Sequence, residues 1–269
     1  MPATIPSHQA AVLPLKLVSP RRFDGVALVV GSAVPDVGYL TQGLGVAVPS
    51  HAWHSLLWFS LPSALIITAL VRRAAGIVAA HLPGGGPLAL RDYGVLATVR
   101  HRLAVTVSSA VLGAASHLVW DMVTHPYVLI GHPFTGDGAH FPALHHTAVA
   151  GLPWWRVIHL ASEMVGSAAV LSTAVHIGRR RLLLAWHGPA PVVPRRPALF
   201  WSAAAGVLAP LVALVLALPG NGTGPNVIGM RLIAAVALAM LAAAGVVAVH
   251  TRRTPAKTGR GDQRHEAGR

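Results

Sequence analysis

The chain has 269 residues, 54% hydrophobic and only 11% charged, with a mean hydropathy of +0.59, which excludes an ordinary water-soluble domain and points to a polytopic membrane protein. Cysteine is absent, which excludes disulfides and thiolate metal sites and leaves His, Asp, Glu and backbone oxygen as the metal-ligand repertoire. The net charge of +13 does not signal nucleic acid, because the basic residues follow membrane topology instead of forming one patch.

Residues 1–22 hold a short apolar stretch, Ala10 to Val18, preceded by His8 and interrupted by Lys16. It has neither a basic n-region nor a cleavage-like end, so it reads as a short helix partly sunk in the membrane and not as a signal peptide. A first span is expected over 25–48, with Pro35-Asp36 near its middle, where proline breaks or kinks a helix and frees carbonyls. A second span is expected over 54–71. A basic segment follows to Arg102, with Pro83-Gly-Gly-Gly-Pro87 at its flexible centre. The third span covers 103–124. A polar loop then carries His132, Asp137, His140, His145 and His146, and reads as a solvated loop. The fourth span, 154–177, contains His159 and Glu163 and ends at Arg179-Arg180-Arg181. Spans five (198–218) and six (227–249) are apolar. From Thr251 the chain is polar and basic, with the composition of a disordered tail.

The expected architecture is therefore all-α: a membrane helical bundle of about six transmembrane helices plus a short N-terminal helix. Residues 1–177 form the part with the polar residues, 178–250 two apolar spans and 251–269 the tail. All Lys and Arg residues except Arg156 and Arg231 lie in the N-terminus, the segments between spans two and three and between four and five, or the tail. The positive-inside rule then places both termini in the cytoplasm. Trp53, Trp154 and Trp155 fall at the opposite ends, as an aromatic belt does.

The charge-free run from Leu103 leads into Gly113-Ala-Ala-Ser-His-Leu-Val-Trp-Asp-Met-Val-Thr-His125. Its His117, Asp121 and His125 stand at i, i+4 and i+8, on one face of a helix. Ionisable groups within a span are expensive and face a partner or a cavity. Counting about 1.5 Å per residue from the nearest basic boundary, His8, Asp36, His54, His117, Asp121, His159 and Glu163 all lie roughly 20–30 Å deep and share one layer. Histidines and carboxylates in one layer are the ligand types of a mononuclear or dinuclear hydrolytic metal site. The competing reading of His117 and Asp121 is a hydrogen bond clipping helices together. Asp36 either ligates or caps the second half of a broken helix. His54 either ligates or sits at a helix start at the interface, and His51 reads as interfacial. His125 is a ligand or the polar end of the span. His159 and Glu163 line the site or bond between helices. No phosphate-cradling glycine loop and no Gly-x-Ser-x-Gly elbow is present.

Ser7-His8-Gln-Ala-Ala-Val-Leu-Pro14, Gly31-Ser-Ala-Val-Pro-Asp36, His54-Ser55-Leu-Leu and the Gly113 to His125 run resemble, in order and spacing, the bacterial membrane family catalogued as domain of unknown function 4184. That family is similar in turn to the inner-membrane metal-dependent hydrolases of domain of unknown function 457. The resemblance implies His8, Asp36, His54, His117 and Asp121 as a shared polar set in a bacterial inner-membrane protein. The hydrolase relatives usually show Pro-Asp-x-Asp and a His-Arg-Gly-x-Thr-His-Ser run; here position 38 is Gly38, and the second histidine before His54 is His51, at a different spacing. The combined expectation is a membrane-embedded hydrolase opening outward. It uses a divalent metal, zinc or manganese, on His8, Asp36, His54, His117, Asp121 and His125, with Asp36 and Asp121 catalytic. It sits in the lipid bilayer, acts on a lipid-linked or amphiphilic substrate and binds no nucleic acid. A transporter or metal-ion carrier, or a structural membrane protein, is the alternative use of the same layer.

Overall fold

A computed structural model describes residues 5–125, 141–221 and 224–253. It is helical almost throughout: α1 (Ile5–Val18), α2 (Gly25–Gly31), a 3-10 helix (Val34–Thr41), a π-helical turn (Leu56–Ser60) running into α3 (Leu61–His81), a second 3-10 helix (Leu90–Ala97), α4 (Leu103–Thr124), α5 (Trp154–Arg179), α6 (Leu182–His187), α7 (Pro197–Ala217) and α8 (Pro225–Arg253). Ahead of α5 lie a 3-10 turn (Pro142–His145) and a small antiparallel hairpin of β1 (Thr147–Val149) and β2 (Leu152–Pro153). Among the described residues, five helical segments are long and apolar enough to cross a membrane: Leu56–His81, Leu103–Thr124, α5, α7 and α8.

The first expected span is broken, as its proline leads one to expect: α2 stops at Gly31 and a 3-10 helix resumes at Val34. Proline at 35 cannot donate to the carbonyl of Gly31, so the α-helical ladder ends there. The broken pair still traverses the bundle. At its start, Asp24 binds Arg72 near the basic end of α3 and Thr106 near the start of α4. At its end, Gly43 packs against Gly220 in the α7–α8 connection, at the opposite end. The chain thus has five regular spans and one traverse made of two short helices. The tail also begins later than expected, because Thr251, Arg252 and Arg253 complete α8; residues 254–269 lie outside the described residues.

Small residues set how closely the helices approach. A Cβ on Gly31 would run into the Ala110 carbonyl, and one on Gly113 into the Leu28 carbonyl, so α2 and α4 cross backbone to backbone. A Cβ on Gly166 of α5 would strike Ser7 of α1. That contact holds α1 inside the bundle, where His8, Val12 and Lys16 line its buried face at i, i+4 and i+8. Lys16 answers its burial by donating to the carbonyls of Pro20 (2.6 Å) and Phe23 (2.9 Å). At the C-terminal side, Phe200 and Ala204 of α7 pack with Ala243 and Val247 of α8 and with Ile77 and Val78 of α3.

Three polar clips tie the elements together. His81 is buried and stacked on Phe200 with ring centroids 4.5 Å apart. Its Nδ1 lies 2.7 Å from the Ile77 carbonyl, and its Nε2 accepts the Arg196 amide at 2.9 Å. Arg231 is buried in the second turn of α8 and donates to Gln42 O (2.6 Å), Pro219 O (2.8 Å) and Asn221 Oδ1 (2.8 Å). It thereby holds the end of the broken traverse to the α7–α8 connection.

Asp24 is the third clip. It caps α2 by accepting the Ala27 amide, accepts the Thr106 hydroxyl at 2.7 Å and pairs with Arg72 at 2.6 Å. Burial works against its ionisation, yet the Thr106 hydroxyl, the Arg72 guanidinium and the Ala27 amide together hold its carboxyl below the usual carboxylate value. A depressed folded-state pKa stabilises above the unfolded value of about 4, and that stabilisation is lost as pH falls through the folded value. Asp24→Asn leaves Arg72 without its counter-charge and should cost about 3 kcal/mol at neutral pH. Denaturant unfolding in detergent should show this deficit, and the gap to the wild type should narrow in acid; a gap independent of pH would refute the account.

Candidate metal centre

The break at Ser32 builds the site. In a continuous helix the Ser32 carbonyl would accept the amide of residue 36. Here the Asp36 amide bonds Ala33 O instead, in the 3-10 pattern, and Ser32 O is left for His117 Nδ1 at 2.7 Å. A carbonyl only accepts, so Nδ1 carries the proton and Nε2 presents its lone pair. That lone pair faces two carboxylates: Asp121 Oδ2 at 3.2 Å and Asp36 Oδ1 at 3.6 Å. An imidazole anchored through one nitrogen, with the other aimed at acidic groups, is the arrangement of a metal-ligating histidine with its outer-shell partner.

His51 supplies a second imidazole. The 49–55 segment folds back on itself, with Ser55 Oγ donating to the carbonyls of Ser50 and Ala52, both at 2.6 Å. His51 Nδ1 lies 3.2 Å from Ser50 Oγ, and its Nε2 lies 3.4 Å from Asp36 Oδ1 and 3.5 Å from Asp121 Oδ2. Gly38 makes this approach possible, since a Cβ there would collide with the Ser50 side chain.

The four separations between the two Nε2 atoms and the two carboxylates therefore span 3.2–3.6 Å. Hydrogen bonds to carboxylates are shorter, about 2.7–2.9 Å. Ligand atoms about 2.0–2.1 Å from one tetrahedral zinc stand about 3.3 Å apart, which is the spacing here. His51 Nε2, His117 Nε2, Asp36 Oδ2 and Asp121 Oδ1 are buried and have no hydrogen-bond partner among the described residues. Such a cluster is costly without a cation or shared protons. Two triads, His8–Asp36–His117 and His51–His117–Asp121, each bring their donor atoms within 4.8 Å of one another. They share His117, and such groups could hold a metal ion.

The remaining residues surround this core. His8, on α1, stacks on His117 with centroids 3.8 Å apart, and its Nε2 lies 3.6 Å from Asp121 Oδ1. His125, at the C-cap of α4, places Nδ1 3.2 Å from the same oxygen and 3.0 Å from Thr124 Oγ1. Beyond it, His159 meets the His125 ring edge to face at 4.7 Å, and His159 Nε2 lies 3.4 Å from Glu163 Oε1. Both His159 nitrogens are buried without a hydrogen-bond partner. The layer read from the sequence thus gathers His8, Asp36, His117, Asp121 and His125, with His159 and Glu163 at its flank. Asp36 makes no capping bond, so its alternative reading as a cap has no support.

His54 lies apart from this cluster. It is exposed and stacks on Trp58, because the helix begins only at Leu56 and leaves residue 54 on the outer turn. His51, read from the sequence as interfacial, faces the carboxylates instead. Only the approach allowed by Gly38 turns it inward, and no periodicity signals that. Of the loop histidines, His145 and His146 are exposed, while His132, Asp137 and His140 lie outside the described residues.

A family model described as Domain of unknown function (DUF4184) matches residues 1–253. The chain belongs to that family. The match takes in α7 and α8 as well as the segments that carry the polar residues. Nothing matches among curated proteins, and no solved structure matches.

The contrast between the two histidines is testable. His51→Ala should weaken zinc binding by more than the roughly 10–100-fold that loss of an outer-shell partner costs, whereas His54→Ala should leave affinity unchanged. Competition titration with a chelating dye on detergent-purified protein measures both. Equal effects would reject the assignment of His51.

Proposed function

We propose that this membrane protein is a metal-dependent hydrolase whose site opens on the face opposite the arginine-rich end. The observation that carries the reading is the His117 imidazole, held by Ser32 O through Nδ1 while its buried Nε2 faces two buried carboxylates and has no hydrogen-bond partner among the described residues. His51, His117, Asp36 and Asp121 would hold a divalent cation, with His8 and His125 against it. Bound there, such a cation supplies Lewis-acid chemistry, polarising a carbonyl or phosphoryl oxygen.

The protein's own groups do the rest. Ser32 O and Ser50 Oγ orient the two imidazoles. Asp36 Oδ2, buried and without a partner, takes a proton from the attacking water as its oxygen bonds to the acyl or phosphoryl centre, and returns that proton to the departing alkoxide. Apolar helix walls limit bulk water and suit a lipid-linked or amphiphilic ester. The distribution of Lys and Arg supports a topology with both termini cytoplasmic, which places the His117–His125 end of α4 outward.

Purified protein should retain zinc or manganese, and His117→Ala/Asp121→Ala should lose it while staying folded by circular dichroism. Metal-loaded wild type should turn over lipid-phosphate or ester substrates, and Asp36→Asn should lower kcat by about 100-fold or more. Absence of metal after loading with excess zinc and manganese would overturn the reading. Metal-dependent zinc flux in vesicles without any turnover would replace it with a carrier.

A further inference from the structure

The two oxygens of Asp121 face different histidines. Oδ2 lies toward His117 Nε2 (3.2 Å) and His51 Nε2 (3.5 Å), together with Asp36. Oδ1 lies on the other side, toward His125 Nδ1 (3.2 Å) and His8 Nε2 (3.6 Å). Oδ1 and both nitrogens of His8 are buried and have no hydrogen-bond partner. The Asp121 side chain is 6% exposed, those of His8 and His125 1% and 8%, so these atoms lie away from bulk solvent. The two separations on the Oδ1 side, 3.2 and 3.6 Å, fall in the range of the first cluster and near the distance between neighbouring ligands on one metal ion.

We propose that Asp121 is a bridging carboxylate and that the centre takes two divalent cations. One lies among Asp36, His51, His117 and Asp121 Oδ2. The second is held by Asp121 Oδ1, His8 and His125. The proposal rests on the metal reading above and extends it. A carboxylate bridge suits a pair about 3.5–4 Å apart, the spacing at which two cations bind both the entering and the departing oxygen of a displacement. It also gives α1 a purpose. Gly166 admits Ser7 against α5, and that seat puts His8 beside Asp121, so the N-terminal helix carries a ligand that α4 cannot supply for itself. Loss of the second cation would leave a centre that binds metal but handles phosphoryl substrates poorly.

The test is metal counting and electron paramagnetic resonance on the full chain in detergent, loaded with Mn(II) alone, with Zn(II) loading in parallel for the count. Wild type should retain about two equivalents and give the broad spectrum of two exchange-coupled Mn(II) ions. His125→Ala, and independently His8→Ala, should retain about one equivalent and give the six-line spectrum of an isolated ion. One equivalent in the wild type, with an isolated-ion spectrum, overturns the second site and leaves the single-centre reading standing. No retained metal overturns both. Two equivalents that survive both substitutions also overturn the assignment of His8 and His125. Should either variant not fold, the wild-type spectrum and count decide the matter on their own.

Discussion

A single backbone carbonyl organises the polar interior of this bundle. Because Pro35 cannot continue the helix begun at Gly25, the amide of Asp36 turns back to Ala33 and Ser32 O is released. In an apolar bundle a free carbonyl must find a donor, and His117 Nδ1 is that donor. The bond locks the imidazole across the α2–α4 crossing, orients its second nitrogen toward Asp36 and Asp121, and joins the broken segment to the helix that carries most of the site. The backbone contact of Gly31 and Gly113 brings the two within reach. The helix break is thus what makes the site possible.

The chain manages its buried charge in two different ways. At the arginine-rich end, Asp24 is closed by Arg72, Thr106 and Ala27, and Asp92 is closed by Arg181 through two bonds. Those carboxylates are paired with guanidinium or capped, and they read as structural. At the other end, Asp36 and Asp121 face imidazoles, and Asp36 Oδ2 and Asp121 Oδ1 are buried without a hydrogen-bond partner among the described residues. The same residue type is fully satisfied in one layer and left open in another. That difference within one molecule separates a helix clip from a binding centre better than burial does, since both sets are buried.

Much of this was legible in the residues. The apolar runs set the long helices, and the i, i+4, i+8 spacing of His117, Asp121 and His125 put three of the polar residues on one face. Depth counting from the basic boundaries put His8 and Asp36 in the same layer. The break at Pro35 was legible too. The burial of Arg231 and the choice between His51 and His54 were not. In both the deciding factor was a contact between distant segments: the carbonyls of Gln42 and Pro219 around Arg231, and the room that Gly38 leaves for Ser50.

The sequence by itself determined that this is a multi-pass helical membrane protein with a layer of histidines and carboxylates, because hydropathy, helix periodicity and the cost of charge in an apolar phase are all local properties of the chain. Only the tertiary structure decided which of those residues meet. Separations of a few tenths of an ångström between side chains on α1, α4, the broken traverse and the 49–55 turn depend on how closely glycines let backbones approach. They also depend on which carbonyls a helix break sets free, and both are properties of packed segments and not of any one of them.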